Sequence, residues 1–537
     1  MQIRRRQFLN LAGLSIFGYI INACSHNISL NSSSSDSQFL LNKFDVPDML
    51  SKSGELSISL YDINNESLLN DYILPLAYST LVDFDVTDGK LYPGIASNLE
   101  VINPQNFLFT IRDDIYFHPD KNGFAAPLTI EGIMNDFNVR INNQEPFFYT
   151  VIESLEIIDN KLLVSLKNPF PYFIEFISNS SIAGIRHNDT YDDSDLFRGS
   201  GPYVPTQINE YGYVLVANNF YHEKGLPLLN YIYINMYFNI DLMRKDFENN
   251  SFDLILSKKF VNLLNSIPLN YDKHKYPSKE VVFFALSMTK MKGGRSVKYI
   301  EAFQSPKVRK ALSKSINRKL LIETFDAFLT GLVPPSFPLD SLNNDEINQI
   351  DFMTYDPIAA RQLLFESGFS GLEFRIDLPN TVFFSKLGSL LVNQLSKVGF
   401  APRLVFRDLS NITDSLEIGD FESILYSQKF DLSPDTGLKM STSSGTKDQY
   451  SQTGFSSPIY DHKVQESFNE YDPILSGQLA KNAQKNLFDQ SPAVLPIFCN
   501  ADVAISYKNQ LVSGFQFEKL SSNFKIFSKY WMKHKTN

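Results

Sequence analysis

The chain has 537 residues, several times the usual size of one domain, so more than one folding unit is expected. Its 43% hydrophobic and 20% charged residues exclude a wholly disordered chain, and a net charge of −10 argues against general nucleic-acid binding, which leaves a basic footprint. Two cysteines, Cys24 and Cys499, are too few for a disulfide-stapled scaffold, and no apolar run reaches the roughly 18 residues of a membrane-spanning helix.

In chain order, the first segment reads as an address. Arg4, Arg5 and Arg6 form a positive n-region, and Phe8 to Ile21 is a mostly apolar stretch of signal-peptide length. Arg5 to Leu9 resembles the twin-arginine export motif, and Ile21-Asn22-Ala23-Cys24 resembles a bacterial lipobox, in which the cysteine is lipidated and becomes the new N-terminus. Residues 1–24 are therefore expected to be a lipoprotein signal peptide and Cys24 the lipidation site. A plain secretory signal, with Cys24 a bystander, is the simpler alternative. Residues 25–48 are rich in Ser and Asn, the composition of a flexible tether. The expected localisation is an exported bacterial envelope protein, periplasmic or cell-surface, anchored by lipid.

From about Gly54 the pattern is dense and globular. Glu55 to Leu60 alternates as a strand, and Asn106–Arg112, Lys161–Lys167, Tyr213–Ala217 and Tyr231–Tyr237 follow with β-branched and aromatic enrichment. Ser305-Pro306 opens a helix in which Val308, Ala311, Leu312, Ile316 and Leu320 recur at helical spacing. Its basic residues Lys307, Arg309, Lys310, Lys314 and Arg318 are expected on a solvated face. Asp356-Pro357 opens a second helix that stops at Gly368. Ser385–Lys397 reads as a third, leading into a strand over Arg403–Arg407. Cys499, in an apolar run, is expected to be a buried core residue.

Chemistry-bearing patterns are scarce. There is no GxxxxGK[ST], GxGxxG, HExxH or GxSxG sequence, and the seven histidines show no pair at metal-ligand spacing. No catalytic residue, metal site or cofactor is expected, and the chain is not expected to be an enzyme. Gly199-Ser-Gly-Pro-Tyr203 is the one compact glycine cluster and reads first as a tight turn before a strand.

Taken in order, several segments resemble the extracellular solute-binding proteins of family 5, the peptide- and nickel-type binding proteins of ABC importers. Leu91 to Glu100 resembles the family's Pro-Gly-Leu-Ala-Glu-Ser-Trp hairpin, and Phe109 to His118 with Leu128 to Gly132 its strand, aromatic turn and helix start. Gly199 to Tyr203 with Asn218 to Tyr221 is similar to its Gly-Thr-Gly-Pro-Tyr strand and later Asn-Pro-x-Tyr. Ser305 to Leu312 with Ile316-Asn-Arg318, and Tyr355-Asp-Pro357 with Leu363, Leu364 and Gly368, match two of its helices; Pro496-Ile497 and Gly514-Phe515 match its closing strand and turn.

The resemblance implies an α/β fold, a two-lobed periplasmic-binding-protein clamshell with an additional inserted domain and with hinge closure around a ligand. It implies lobe I over 49–74, 198–278 and 496–537, an inserted domain over 75–197, and lobe II over 279–495. It also implies a ligand anchor. Peptide-binding members grip the α-ammonium with an aspartate that, counted from Gly419, falls on Asp431; counted back from Pro434 it is one residue off. A cation enclosed in a dry cleft needs such a paired anion. Asp431 and Asp435 are equally suited to capping the turn. Where the family often has tryptophan before this aspartate, the chain has Tyr426, Ser427 and Gln428, so Tyr426 is the expected aromatic wall. Gly201, Tyr203 and the Ser441–Gly445 loop are weaker lining candidates, and no residue carries over for the ligand's carboxylate.

The expected function is that of the solute-binding component of an ABC importer. It would capture short peptides or peptide-like solutes, deliver them to membrane permease subunits, and act as a monomer without nucleic acid. Within the family a nickel chelate, haem or another non-peptide solute is the alternative. Outside it, the alternative is a secreted hydrolase; a third option is a diverged binding protein with a poorly formed cleft, acting as a sensor or chaperone.

Overall fold

The computed structural model describes residues 38–39, 54–61, 63, 68–85, 89–187, 198–209, 212–257, 267, 269–288, 298–430, 433–443 and 453–508. Cys24, Asp431, most of the tether, Gly514 and Trp531 lie outside the described residues. The chain divides into two compact units, Met1–Tyr276 with Asp502–Asn537, and Pro277–Ala501.

The first unit holds most of the strands. They are β1 (Gln38–Phe39), β2 (Glu55–Tyr61), β3 (Val82–Asp85), β4 (Lys90–Pro93), β5 (Ala96–Asn103), β6 (Asn106–Ile111), β7 (Ile152–Ile158), β8 (Lys161–Leu166), β9 (Tyr203–Asn209), β10 (Gly212–Ala217), β11 (Tyr231–Tyr237) and β12 (Leu254–Leu256). β2 pairs in parallel with both β11 and β12, and β11, β10 and β9 follow antiparallel. Leu56, Ile58 and Leu60 alternate inward along β2, against Leu215, Ile232 and Ile234, as the period-2 pattern requires. A separate sheet runs β1-β5-β6-β8-β7 and is antiparallel throughout, while β3 and β4 form a hairpin. The backbone of Gln38–Phe39, within the stretch expected to be a tether, adds an edge strand to β5.

Beside that sheet, helix α1 (Ile130–Asn142) starts at Thr129, whose side chain accepts from the Gly132 amide. Arg140 of α1 is buried, donates to Glu145 at 2.8 Å and lies 3.9 Å over the Phe148 ring.

The unit boundaries fall inside two long strands, β13 (Tyr271–Leu286, 16 residues) and β17 (Val494–Tyr507, 14 residues). The second unit adds β14 (Glu373–Pro379), β15 (Ala401–Arg407) and β16 (Ser423–Lys429), ordered β15-β14-β16-β13. β14 is parallel to β15 and to β16, and β16 is antiparallel to β13. Its core runs from Val281 to Cys499, and Cys499 is fully buried, with its thiol against the Ser278 carbonyl at 3.3 Å.

One sequence expectation fails here for a local reason. The apolar run from Val308 to Leu320 is two helices, α2 (Pro306–Ser315) and α3 (Arg318–Phe325). Asn317 breaks it: its side chain caps the Leu320 amide, and Leu320 is 43% exposed. Ser305 stands at the N-terminus of α2, ahead of Pro306, without a side-chain capping bond. Helix α4 (Pro357–Glu366) starts at Asp356, whose carboxylate accepts from Ile358 and Ala359, and just beyond its end Gly368 has φ +77°. Helix α5 (Val382–Val398) is capped by Thr381, so it begins nearly a turn before the predicted Ser385.

The solvated basic face also fails. Arg309, Lys314 and Arg318 are buried, each at 5% exposure or less. Lys314 meets Asp351 at 2.6 Å. Among the described residues the two arginines have no carboxylate partner and donate to carbonyls instead. Arg318 reaches Pro496, Ser313 and Met353, and Arg309 reaches Phe303 and Gln304. Guanidinium, with five donors in a planar fork, reaches more separated carbonyls at once than the three donors of an ammonium can. Burial lowers the pKa of both.

Candidate functional site

In an open sheet with parallel strands, the groups available to a ligand gather outside the carboxyl ends of those strands. In the second unit these ends are Pro379 of β14, Arg407 of β15 and Lys429 of β16, and Pro379 stands in register with Arg407. The β14 strand separates its side chains by face. Phe374, Ile376 and Leu378 are buried on one side, where Gly388 of α5 packs so closely that a Cβ there would lie 2.8 Å from Leu378. Arg375 and Asp377 occupy the other face, along with Val405 and Arg407 of β15 and Ile424 and Tyr426 of β16, through the Asp377–Val405 and Asp377–Ile424 register pairs.

That face carries an ionic cluster. The Asp377 carboxylate is wholly buried, with Arg375 Nε at 2.8 Å and Arg407 Nε at 3.2 Å. Burial raises the Asp377 pKa, and the two guanidiniums pull against that rise. On the same strand the Arg375 amide donates to Glu422 at 2.7 Å, and the Ser423 hydroxyl donates to the Arg375 carbonyl at 2.7 Å. At the other end the Arg407 carbonyl accepts from the Asn380 amide at 2.8 Å. The Arg375 and Arg407 side chains keep 18% and 29% of their surface exposed.

Tyr426 lies in this sheet opposite Phe283 of β13, with ring centroids 5.9 Å apart. It is 3% exposed, burial raises its pKa, and its hydroxyl is buried with no hydrogen-bond partner among the described residues. Beyond β16 the Phe430 amide donates to the Lys279 carbonyl at 2.7 Å, and the Phe430 ring meets Phe337. Lys279 lies 5.5 Å over that Phe337 ring, and Lys429 is exposed. After Asp431, which is not described, the chain resumes at Ser433, whose hydroxyl bonds to Asp435. Asp435 is buried and pairs with Lys439 at 3.0 Å. Gly437 is needed at its position, because a Cβ would sit 2.5 Å from the Leu332 carbonyl oxygen. Ser441 is buried and its hydroxyl has no partner among the described residues.

Gly199 to Tyr203 form a packed junction in the first unit. A Cβ on Gly199 would lie 2.3 Å from the Ala77 carbonyl oxygen, and one on Gly201 2.4 Å from the Ala77 carbonyl carbon. The Gly201 carbonyl is met by both His118 Nε2 at 3.0 Å and Asn218 Nδ2 at 2.9 Å. Tyr203 is fully buried in the core with Leu56 and Ile58. The glycines thus permit close backbone approach, and the polar atoms of Gly201 are already satisfied within the unit.

The structure therefore gathers Tyr426 with the described neighbours of Asp431 in the second unit, and keeps Gly201 and Tyr203 in the first. The Arg375–Asp377–Arg407 cluster is the group that reading the sequence missed. Its signal was present: Glu373-Phe-Arg-Ile-Asp-Leu-Pro379 places three charges, Glu373, Arg375 and Asp377, at alternate positions of an otherwise apolar strand.

Comparisons with known proteins agree with this architecture. Residues 90–449 match the family model described as bacterial extracellular solute-binding proteins, family 5 Middle. The chain is 24% identical over 433 residues to the glutathione-binding protein GsiB of Salmonella typhi, covering 76% of this chain and 80% of that protein. It is 23% identical over 485 residues to its counterpart in Pectobacterium atrosepticum, covering 86% and 89%. Among solved structures it resembles HbpA2 from Haemophilus parasuis, with a TM-score of 0.74, 16% identity, and coverage of 89% of this chain and 100% of that one. It resembles the unliganded open form of the murein tripeptide-binding protein MppA at a TM-score of 0.73 and 17% identity, covering 90% and 98%. The Helicobacter pylori protein DppA in complex with the peptide STSA gives a TM-score of 0.60 at 17% identity, covering 90% and 99%.

Proposed function

The chain belongs to the bacterial extracellular solute-binding proteins of family 5, and from that premise we propose that it captures short peptides or peptide-like solutes for an ABC importer. The observation that carries this reading is the family match over residues 90–449, which spans strands β5 to β8 of the first unit and the parallel strands of the second. Its peptide character is supported by the glutathione-binding relatives and by the peptide ligands named for two of the structures it resembles.

In this reading the two lobes close on the solute and present it to a membrane permease, with no bond made or broken by the protein. Asp431 holds the solute's α-ammonium. In sequence it follows the carboxyl end of β16 by two residues. A carboxylate enclosed with a solute is expensive to desolvate alone and gains from a paired ammonium. Tyr426 lines the same region, and Gly201 and Tyr203 hold the first unit's framework in place. Cys24 carries lipid, the Ser- and Asn-rich residues between it and β1 tether the body to the membrane, and the protein works as a monomer in the envelope.

A thermal-shift titration tests it, using ligand-free protein against di- to pentapeptides, reduced glutathione, and their N-acetylated forms. A ligand at ~100 times its dissociation constant adds about 2.7 kcal/mol of stability. Free peptides stabilise the protein, acetylation removes the effect, and Asp431→Asn removes it likewise. Stabilisation that survives both acetylation and Asp431→Asn refutes the anchor. No response to any peptide refutes the peptide reading.

A further inference from the structure

Among the described residues, the five-stranded sheet of the first unit ends in β7 on one side and in β1, laid on β5, on the other. The β7 edge carries exposed Glu153 and Glu156 and a register shift at Glu153, the charges and bulge that keep an open edge from pairing. β5 has little such protection. Over Ala96–Asn103 its one charge is Glu100, whose carboxylate lies 3.9 Å from Lys161 of β8. Backbone covers it instead: Gln38 pairs with Glu100 and Phe39 with Leu99. Of two adjacent antiparallel pairs one is the hydrogen-bonded kind, so the contact is made by main chain. The pairing also sets a direction. The amino end of β1 lies at the Val101–Asn103 end of β5. That end of the sheet carries exposed Ile102 and the turn at Pro104–Gln105, where the Gln105 side chain donates to the Lys167 carbonyl at 3.3 Å. Lys167 donates to the Tyr149 carbonyl at 2.6 Å and lies 4.9 Å over the exposed Tyr149 ring. An aliphatic residue, a tyrosine and a lysine are side chains that settle at a membrane–water interface, and Glu153 is the exposed carboxylate on the β7 side of the same end.

We propose that the outer edge of β5 is the docking strand for the chain's own lipid-bearing N-terminal segment, and that docking turns the Ile102–Tyr149–Lys167 end of this sheet toward the membrane surface. The orientation rests on the reading of Cys24 as the lipidated residue; the docking itself does not. Residues 25–37 separate Cys24 from Gln38, so the docked sheet stands at most roughly 50 Å from its anchor, whereas an undocked chain running to Glu55 reaches roughly 110 Å. As a flexible coil the shorter segment averages only about 20 Å. Two register pairs make a weak contact by themselves. Residues 40–54 link Phe39 to β2, so closure is intramolecular, its entropic cost is modest, and the segment is held at high local concentration beside β5. A docked body therefore meets the membrane with one end of one sheet, and an undocked body turns freely on its tether.

The test has two arms on the full mature chain. In the first, Gln38→Cys with Glu100→Cys is oxidised mildly, since directly opposed residues of an antiparallel pair stand within disulfide range. The expected result is a disulfide joining positions 38 and 100, read by mass spectrometry of proteolytic fragments. Gln38→Cys with Glu156→Cys, whose second thiol lies on the β7 edge, forms none. Absence of the first disulfide, or equal yield in both pairs, overturns the docking. In the second arm a fluorophore is attached at Ile102→Cys, or at Ile157→Cys near the opposite end of the sheet. The buried Cys499 does not compete for label. The protein is bound to phosphatidylethanolamine–phosphatidylglycerol vesicles that contain headgroup spin-labelled lipid. Quenching is expected at position 102 and not at 157. Gln38→Pro with Phe39→Pro removes both strand amides and abolishes the difference, and its melting curve verifies that it folds. Equal quenching at the two positions, or a difference that survives the prolines, overturns the orientation. Cys24→Ser separates the inference from its premise. If that variant binds vesicles as the wild type does, the lipid reading fails and the orientation with it. Vesicle binding lost in Cys24→Ser, with no disulfide between positions 38 and 100, overturns the docking and leaves the lipid reading standing.

Discussion

Replacing Arg318 by methionine tests the account of the buried arginines most severely. The guanidinium is 4% exposed and donates to the Pro496 carbonyl at 2.9 Å, the Ser313 and Met353 carbonyls at 3.2 Å each, and the Ser313 hydroxyl at 3.0 Å. Methionine fills much of the volume but removes the donor that Arg318 gives to the Pro496 carbonyl of β17, to the Met353 carbonyl at the end of the turn Asp351–Met353, and to Ser313, whose carbonyl keeps the Ile316 amide. Each orphaned buried carbonyl costs about 1–3 kcal/mol, and relief from burying the cation offsets part of that. The net loss is about 3–5 kcal/mol, the range for removing one partner of a buried charged contact. That is a factor of roughly 10² to 10⁴ in the folding equilibrium. Urea unfolding followed by circular dichroism measures it, with hydrogen exchange across α2 and α3 showing that the loss is local to the second unit. Arg318→Lys, with one compact donor group in place of the fork, recovers only part of the stability. A methionine variant within about 1 kcal/mol of wild type would refute the claim that these carbonyls depend on Arg318.

Two further perturbations have defined signs. Gly201→Ala forces a Cβ to within 2.4 Å of the Ala77 backbone, which cannot retreat as a side chain can, and lowers thermal stability by about 1–3 kcal/mol or more; an unchanged melting temperature contradicts the packed-junction reading. Burial raises the Asp340 carboxyl to about 7, with Lys481 opposing. The native state therefore holds a proton that the unfolded chain releases near pH 3.9, so this contribution to stability is complete below pH 4 and is lost as pH rises through 7. Asp340→Asn flattens the pH dependence between those limits and gains stability relative to wild type at pH 8; an identical pH profile in both proteins would sink the assignment.

Much of the fold was legible because periodicity and punctuation agreed. β11 runs over Tyr231–Tyr237 as its alternation indicated, and the Asp356 cap and Gly368 stop bound α4 as their chemistry requires. The failures have equally local causes. In the run from Val308 to Leu320 the apolar spacing persisted through Asn317, and periodicity carries no record of a cap inserted within it. Arg309, Lys314 and Arg318 looked like solvated charges because a sequence shows a cation but not the carbonyls that surround it. The glycine cluster was read as a turn, whereas its glycines answer to Ala77, more than a hundred residues away. The Arg375–Asp377–Arg407 group escaped notice because β14 and β15 meet only through the parallel register. Family resemblance supplied what none of these local signals could, the two-lobed architecture and the expectation of a solute.

The measurement that bears most directly on that expectation is isothermal titration calorimetry of refolded, ligand-free protein with reduced glutathione and a series of tri- to pentapeptides. Saturable binding of at least one of them at one site per chain, weakened by Asp431→Asn, is the predicted result. Folded protein that gives no binding heat with any of these solutes at several temperatures would contradict the assignment of peptides as its cargo.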